Sequence, residues 1–307
     1  MTGPWATDGA WLKCALHAHT TRSDGELSPR DLAGHYARAG YDVLALTDHW
    51  RISGDDSVDG LTVIPSVELN CILPGARDGH VLGYGVDASE DDLRALAREH
   101  ADLEQTAGWI QSRGGVSYLA HPYWTGVTPG TLELPDEVTG IEVWNAGCEL
   151  EVGRGLSAVH WDELLEGGRL CPATAVDDSH HPGYDSDLGW TWVRARSSSR
   201  DDVLASLAAG TFYASSGPRI EDVRVEGGVV EVACTPCRSL TLVSTRTSGA
   251  AVHAGRLGYR HHARILDCDR DGLVARAALE VPPAARHVRV EVADAGGRRA
   301  WANPIPV

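Results

Sequence analysis

The chain lacks long hydrophobic runs and clusters of basic residues. No apolar stretch in its 307 residues approaches the roughly 18 residues of a membrane span. The first residues, MTGPWATDGAW, contain neither the basic nor the apolar region of a signal sequence. We therefore predict a soluble protein without a membrane partner, and a cytoplasmic location.

Cysteine is sparse and irregularly spaced. The seven cysteines are an odd number and do not resemble a disulfide framework, so we expect reduced thiols. The formal charge of −16 and the single lysine leave no basic stretch that could cover duplex nucleic acid, which argues against that partner. An anionic substrate would have to be held by metal ions or by a few local arginines.

The most informative stretch is LKCALHAHTTRSD, residues 12–24. A short apolar strand ends in His17-x-His19, and Asp24 follows. Side chains two apart on a strand point to the same face, so both imidazoles can reach one point in space. This pair alone is a weak signal in a chain with 14 histidines, and its weight depends on partners elsewhere.

Ligand-type side chains also mark the ends of later apolar runs. They are Asp48 and His49 (DVLALTDH), Glu68 (LTVIPSVE), His80 (HVLGYG), His121 (VSYLAHP), Glu142 (GIEVWN), and Asp177, Asp178 and His180 (PATAVDDSH). In α/β folds, chemistry is concentrated where buried parallel strands end. The pattern predicts one shared site at the carboxyl end of a parallel sheet or barrel.

Two regions differ in texture. Residues 1–218 alternate strand-like runs with amphipathic stretches, including one long predicted helix from Glu90 to about Gly115, and the opening reads as a parallel β-α-β unit. Residues 219–307 are short alternating runs split by Gly, Pro and Asp, without helical period. We predict an α/β domain followed by a small antiparallel β-sandwich domain.

The number of candidate ligands exceeds the needs of one metal ion. A single zinc takes about four ligands, so two or three divalent ions sharing a carboxylate are expected. Imidazoles and carboxylates without cysteine favour Zn²⁺, Mn²⁺ or Fe²⁺. Such a cluster activates a bridging water for hydrolysis.

The ordered motifs HAHTTRSDG, LTDH, VEL, HVLGYG, AHP and DDSH resemble those of the PHP (polymerase and histidinol phosphatase) metallohydrolases over residues 11–215. GIEVWN, HWDELLEGG, AVDDSHH, LAAGTFYASSGPRI and GRRAWANPIPV are similar to the CehA/McbA-type branch, which carries a β-rich C-terminal domain. The resemblance implies a distorted (β/α)7 barrel with a two- or three-metal centre.

The resemblance also implies the ligand sets. The first metal would be held by His17, His19, Glu68 and Asp178, the second by Asp24, His49 and His180, and the third by His80 and His121 with Glu68 as the bridge. Some family members have histidine in place of Asp24.

Further residues near the strand ends are candidates for other roles. Asp48 is expected to orient a ligand histidine, whereas Glu142 and Asp177 could do so or could be ordinary strand-end residues. Arg51 is the predicted contact for a substrate anion, and His181 is the predicted general acid. Side chains that could form a pocket wall are Tyr123, Trp124, Trp144 and Asn145.

These features support three functional hypotheses. The first is hydrolysis of small-molecule phosphoesters, including nucleotides, by a hydroxide that bridges the metals. The second keeps the metal centre but attacks a carbonyl group in a carbamate, ester or amide. The third is a catalytically vestigial metal-binding interaction module. The sequence alone leaves phosphorus and carbonyl substrates open, since metal-activated hydroxide serves both.

Overall fold

The computed structural model describes residues 3–54, 58–75, 77–256 and 262–307. Its first part contains β1 (Ala10–Ala15), α1 (Pro29–Arg38), β2 (Val43–Leu46), β3 (Thr62–Leu73), β4 (Arg77–Tyr84), α2 (Glu90–Ala97), α3 (Leu103–Ser112), β5 (Val116–Leu119), β6 (Gly140–Asn145), α4 (Ala146–Val152), α5 (Ala158–Glu166), β7 (Ala173–Val176), α6 (Pro182–Asp185), β8 (Trp190–Ala195), α7 (Arg200–Ala209) and β9 (Phe212–Ser215). Short 3₁₀ helices lie at Pro4–Ala6 and Pro129–Thr131.

The remaining strands follow without an intervening helix in the described residues. They are β10 (Ile220–Glu226), β11 (Val229–Cys237), β12 (Ser239–Ser244), β13 (Gly249–His253), β14 (Ala263–Cys268), β15 (Val274–Glu280), β16 (His287–Ala293), β17 (Arg299–Ala302) and β18 (Ile305–Pro306). Within the described ranges, no helix combines the length and apolar character that a membrane crossing requires.

The opening of the chain is the predicted parallel β-α-β unit. Strand β1 pairs in parallel with β2, and β2 with β3. The connecting helix α1 begins where Ser28 accepts a hydrogen bond from the Asp31 N–H and Pro29 occupies the first turn. Its buried face, with Leu32 and Tyr36, packs with Leu44 and Leu46 of β2. The unit thus directs the segments after β1 and β2 to one edge.

The molecule is a mixed α/β structure built on one large sheet, whose ladder runs β13-β12-β16-β17-β9-β8-β1-β2-β3-β4-β5-β6-β7. The predicted (β/α)7 barrel is not closed by this ladder. Thr191 of β8 instead bridges to β7, since its hydroxyl accepts from the Ala175 N–H (3.2 Å) and donates to the Ala175 carbonyl (3.0 Å).

At one end, the segments that follow β1 and β7 do meet. The His19 N–H donates to the Ser179 carbonyl (2.9 Å), and the Asp178 N–H donates to the His17 carbonyl (3.1 Å). The sheet from β1 to β7 therefore curves so that β1 and β7 come close. Their contact is made by the segments that follow their carboxyl ends. This contact places the HxH segment directly beside Asp178.

Two local predictions differ from the structure. The single helix predicted from Glu90 divides into α2 and α3, because His100 adopts a positive φ of 49° and Asp102 forms a capping box with Gln105 that starts a new helix. Strand β4 runs antiparallel to both β3 and β5. His80 consequently lies within a strand and reaches the site from the side of the sheet.

The β-rich C-terminal part contributes to two sheets. Strands β10, β11, β15 and β14 form a separate antiparallel sheet, and the large sheet faces it across a shared apolar core that includes Val232, Leu279, Leu242 and Val290. The large sheet continues into the first part through pairing of β17 with β9. An independent sandwich domain over 219–307 therefore stays a prediction.

Asn303 ties the end of the chain to the α/β part. Its side-chain oxygen accepts from the Ala173 N–H of β7 (2.9 Å), and its amide nitrogen donates to the Gly210 and Phe212 carbonyls (both 3.0 Å). We expect Asn303→Ala to lower the free energy of unfolding by about 2–3 kcal/mol, because buried backbone groups lose their partners.

Urea denaturation measures this change. Thr247→Ala at an exposed position is the matched control, with an expected change below about 0.5 kcal/mol. An equally small change for Asn303→Ala would contradict the expectation.

Candidate metal centre

The structure brings all nine predicted metal ligands to one site. Together with Cys148, they form four overlapping groups in which the potential ligand atoms lie within 4.8 Å of one another: His19, Asp24, His49 and His180; His17, His19 and Asp178; His49, Glu68 and His80; and His121, Cys148 and Asp178. Most of these residues come from segments that follow parallel strands, while Glu68 and His80 lie on the neighbouring antiparallel pair.

The innermost set contains His17, His19, Glu68 and Asp178. The Nε2 atoms of His17 and His19 are 3.1 Å apart. They lie 3.2 and 3.1 Å from Glu68 Oε2, and 3.1 and 3.3 Å from Asp178 Oδ1. Ligand atoms about 2.0–2.2 Å from a zinc-like ion are separated by roughly 3–3.5 Å, so this set fits one divalent ion.

Glu68 joins this set to a second one through its other oxygen. Its Oε1 lies 2.8 Å from His80 Nδ1 and 3.4 Å from His121 Nε2. The His49 Nδ1 atom lies 3.3 Å from Oε2. One buried carboxylate thus faces two groups of imidazoles, which is the arrangement a bridging ligand requires.

The outer set surrounds Asp24. Its Oδ1 lies 3.4 Å from His19 Nδ1 and 3.5 Å from His180 Nε2, while its Oδ2 lies 3.7 Å from His49 Nε2. The Asp24 side chain is 54% exposed, whereas the His19 side chain is completely buried. This outer set is therefore more widely spaced and more exposed than the inner one.

Buried polar atoms without hydrogen-bond partners also suit the binding of cations. Within the described residues, Asp178 Oδ1 and His80 Nδ1 are buried and have no partner of hydrogen-bond geometry. Their neighbours are ionisable groups, His17 Nε2 beside Asp178 Oδ1 and Glu68 Oε1 beside His80 Nδ1. Unsatisfied buried groups of this kind cost free energy unless something pairs with them. The donor set therefore fits divalent ions bound to nitrogen and oxygen.

The electrostatics of the cluster show how tightly its charges interact. Burial lowers the pKa of His19, but hydrogen bonds and charge from Asp178 and Glu68 outweigh that effect and raise this pKa to about 9. Burial raises the pKa of Glu68, yet the charges of His17 and His80 bring it well below its usual value. Asp178 behaves like Glu68, with a pKa held well below the usual range by His17 and His19. Both acids therefore stay ionised.

Glu142 positions two of the ligands. Its Oε1 accepts from His17 Nδ1 (2.7 Å), which leaves Nε2 directed at the inner set, and its Oε2 accepts from the His121 backbone N–H (2.8 Å). Asn145 donates to Glu142 Oε2 (2.9 Å) and to Asp178 Oδ2 (3.0 Å). Asn145, predicted to contact substrate, is buried within this network instead.

We expect Glu142→Gln to weaken metal binding by roughly 10- to 100-fold, because the carboxylate that orients His17 and makes it a stronger ligand loses its charge. Competition with a metallochromic chelator measures the affinity. Glu133→Gln, at an exposed position, removes the same charge and serves as the control. Equal affinities of the two variants would contradict this role.

The two other acidic strand-end residues hold loops. Asp48 accepts from the Thr20 N–H (2.7 Å) and the Ser23 and Ser53 hydroxyls (both 2.8 Å), and Ser23 lies 3.4 Å from His19 Nδ1. Its link to a ligand histidine is therefore indirect. Asp177 accepts from the Tyr36 hydroxyl and from three backbone N–H groups of residues 187–189. Burial raises the pKa of Asp177 to about 6 despite these donors.

The predicted substrate contacts divide into two groups. Trp124 and His181 line the cleft of about 490 Å³ that opens above the metal ligands. Arg51 and Tyr123 are not among its lining residues, and the Arg51 guanidinium pairs with Glu90 at 2.8 Å. The structure therefore does not bring Arg51 to the metal cluster. Trp144 stacks near Trp301, with ring centroids 6.3 Å apart.

Cys148 lies at the site but was not among the predicted residues. Its thiol lies 3.9 Å from Asp178 Oδ2, and its backbone N–H donates to Asn145 Oδ1 (2.9 Å). Burial raises the pKa of this thiol, so we expect it to remain protonated rather than to act as a thiolate ligand. Its position three residues after the strand end at Asn145 was the available signal.

The backbone is strained at two ligands. His121 and Asp178 have φ values of 29° and 55°, in the left-handed region that non-glycine residues rarely occupy. Two hydrogen bonds hold them there, since the His121 N–H donates to the Glu142 carboxylate and the Asp178 N–H donates to the His17 carbonyl. Strain concentrated at converging polar residues is typical of functional sites.

A solved two-domain protein from Bacteroides vulgatus, containing a predicted PHP-like metal-dependent phosphoesterase, aligns with a TM-score of 0.54 and 17% identity over 97% of this chain and 96% of its own. This likeness shows a shared fold across both parts of the molecule. No protein-family model matches the chain.

Two curated relatives match a shorter segment. A 5'-3' exoribonuclease of Haemophilus influenzae is 34% identical over 99 residues, which is 30% of this chain and 36% of the relative. The 5'-3' exoribonuclease Rnm of Salmonella typhimurium is 29% identical over 101 residues, 30% of this chain and 34% of the relative. The chain thus spans about a third of their lengths. The comparisons therefore show a shared fold and one segment of sequence similarity.

Proposed function

We propose that this protein hydrolyses phosphoesters of small molecules, nucleotides among them, with two or three bound divalent ions. The observation that carries the proposal is the convergence of nine ligand side chains at one site, in which the two oxygens of Glu68 face separate imidazole groups. His17, His19, Glu68 and Asp178 would hold one ion, Asp24, His49 and His180 a second, and His80 and His121 with Glu68 a third.

The chemistry divides between the ions and the protein. When bound, divalent ions lower the pKa of a coordinated water and neutralise charge that develops on phosphoryl oxygens. The chain's own contribution is orientation, since Glu142 and Asn145 fix the inner ligands. Zn²⁺, Mn²⁺ and Fe²⁺ all suit the nitrogen and oxygen donors.

His181 is the proposed proton donor to the leaving group. It lines the cleft and its side chain is 67% exposed, so it can reach a bound ester. We expect His181→Asn to lower kcat by about 100-fold for phenyl phosphate and much less for p-nitrophenyl phosphate, since p-nitrophenolate leaves without a proton. His253→Asn, at an exposed position away from the cleft, is the control. Equal losses for both esters would contradict the role.

A second candidate is hydrolysis of a carbonyl substrate such as a carbamate, ester or amide. The observation that favours it is the cleft lining, which contains no lysine or arginine among the described residues. Apart from bound metal ions, nothing among these described lining residues would attract the negative charge of a phosphoester.

Metal analysis and a substrate panel test the proposal together. The protein is purified without chelator, its metals are quantified by plasma mass spectrometry, and activity is measured in Mn²⁺ and Zn²⁺ on p-nitrophenyl phosphate, p-nitrophenyl acetate and naphthyl carbamates. Two or three equivalents with phosphate release would support the phosphoesterase. Turnover of carbonyl substrates alone would favour the second candidate, and bound metal without any turnover would favour an interaction module.

A further inference from the structure

Apolar side chains line the cleft above the metal ligands. The Trp124 ring forms an aromatic wall that packs edge-on against His121, with centroids 5.0 Å apart, and Leu150 lies exposed near the end of α4. Helix α6 adds Tyr184, which is 67% exposed. These exposed apolar surfaces beside a polar floor would seat an apolar or aromatic group.

Apart from histidine, every charged side chain among the described residues that line the cleft is acidic. Among the described lining residues the acids are Asp24, Glu68, Glu151, Asp178 and Asp185, with no lysine or arginine. Asp24, Glu68 and Asp178 belong to the ligand groups, where bound cations would offset them. Asp185 is buried and accepts from the Ser179 hydroxyl and two backbone N–H groups.

Glu151 remains as the acid that faces the outer cleft. It is exposed in the last turn of α4, and its Oε2 accepts from the Trp124 indole N–H (2.8 Å). No lysine or arginine in the described part of the chain forms an ion pair with it. Its negative charge is therefore fixed beside the aromatic wall by a neutral donor.

We propose that Glu151 determines substrate specificity by disfavouring leaving groups that carry negative charge. The preferred esters have a leaving group that is uncharged or cationic, as in phosphate monoesters of neutral alcohols, whereas leaving groups with further phosphates, such as those of RNA, are disfavoured. The inference rests on the proposed function only in assigning the scissile group to the metal centre. Repulsion by one unit charge a few ångströms away in a partly hydrated site corresponds to about five-fold in kcat/KM.

Three esters with the same scissile bond test this selectivity. They are phenyl phosphate, 4-carboxyphenyl phosphate and 4-(trimethylammonio)phenyl phosphate, assayed with the Mn²⁺-loaded protein. Glu151→Gln keeps an acceptor for the Trp124 indole, and Glu99→Gln removes an exposed charge elsewhere. Comparing each variant with the parent protein cancels differences in leaving-group reactivity.

We expect Glu151→Gln to raise kcat/KM for the carboxyphenyl ester about five-fold relative to phenyl phosphate and to lower that for the cationic ester by a similar factor. Glu99→Gln should leave both ratios unchanged. Ratios that do not move in Glu151→Gln, or that move equally in Glu99→Gln, would overturn the inference.

Binding of the corresponding phenylphosphonates by calorimetry separates this inference from the proposed function. If no ester turns over but the phosphonates bind in the order cationic, neutral, anionic, and Glu151→Gln abolishes that order, the specificity role stands and the phosphoesterase proposal fails. Hydrolysis without charge discrimination would overturn the specificity role alone. Absence of phosphonate binding at millimolar concentration would also overturn it.

Discussion

Glu68→Gln is expected to remove at least one equivalent of bound metal and to lower kcat/KM by about 10³-fold or more. Glu68 Oε2 lies within 3.2 Å of both inner imidazoles, while Oε1 lies 2.8 Å from His80 Nδ1. Glutamine has the same shape but offers one neutral oxygen, so it can serve only one of these groups. The fold should persist, because the substitution changes no buried volume.

Metal content by plasma mass spectrometry and initial rates on p-nitrophenyl phosphate measure these effects. His19→Ala should behave similarly, since His19 presents Nε2 to the inner set and Nδ1 to Asp24. Glu133→Gln is the control for loss of one exposed carboxylate. Full metal content and full activity in Glu68→Gln would show that the ligands do not assemble as the distances indicate.

Removal of divalent ions is expected to lower the midpoint of thermal unfolding by about 6 °C. Ions present at about a thousand times their dissociation constant contribute roughly 4 kcal/mol to the native state, and a chain of this length converts that into several degrees. The effect arises because the ligands come from widely separated strands and converge only in the folded chain. The buried, ionised Glu68 and Asp178 also lose the cations that would offset their charges.

Calorimetric scans before and after chelator treatment measure this shift, and restored Mn²⁺ or Zn²⁺ should reverse it. The Glu68→Gln variant provides the matched control, since its midpoint should respond much less to chelator. An unchanged midpoint in the parent protein, or an equal shift in the variant, would contradict the expectation.

Both predictions concern the same buried carboxylate but report different properties. The first measures assembly and turnover, and the second measures coupling of metal binding to folding. A variant that lost activity but kept the full thermal response would indicate that Glu68 acts on the reaction without holding metal. The paired measurements therefore distinguish a bridging ligand from a residue that contacts only substrate.

Much of the centre was predictable from the sequence because its signals are local. An imidazole or carboxylate placed where an apolar run ends is readable from a few residues, and parallel strands bring such ends to one edge. The HxH pair needed only the two-residue period of a strand to place His17 and His19 on one face. The parallel opening unit followed from an equally local pattern of strand, capped helix and strand.

Other features depended on contacts between distant segments. Pairing of β17 with β9 makes the large sheet continuous, and the ladder leaves the barrel open between β7 and β8, where a Thr191 hydroxyl replaces strand pairing. No local period encodes these choices, because they depend on which edges meet. Likewise, the capping box at Asp102 outweighed the amphipathic pattern that predicted one long helix.

The sequence by itself determined which side chains could bind metal and that most of them follow the ends of parallel strands, since residue type and strand period carry that information. Only the tertiary structure decided which of them share an oxygen of Glu68, that Glu142 and Asn145 orient the ligands, and that Arg51 pairs with Glu90 away from the cleft. The reason is physical: strand ends are specified by local pattern, whereas side-chain direction and pairing depend on packing between segments far apart in the chain.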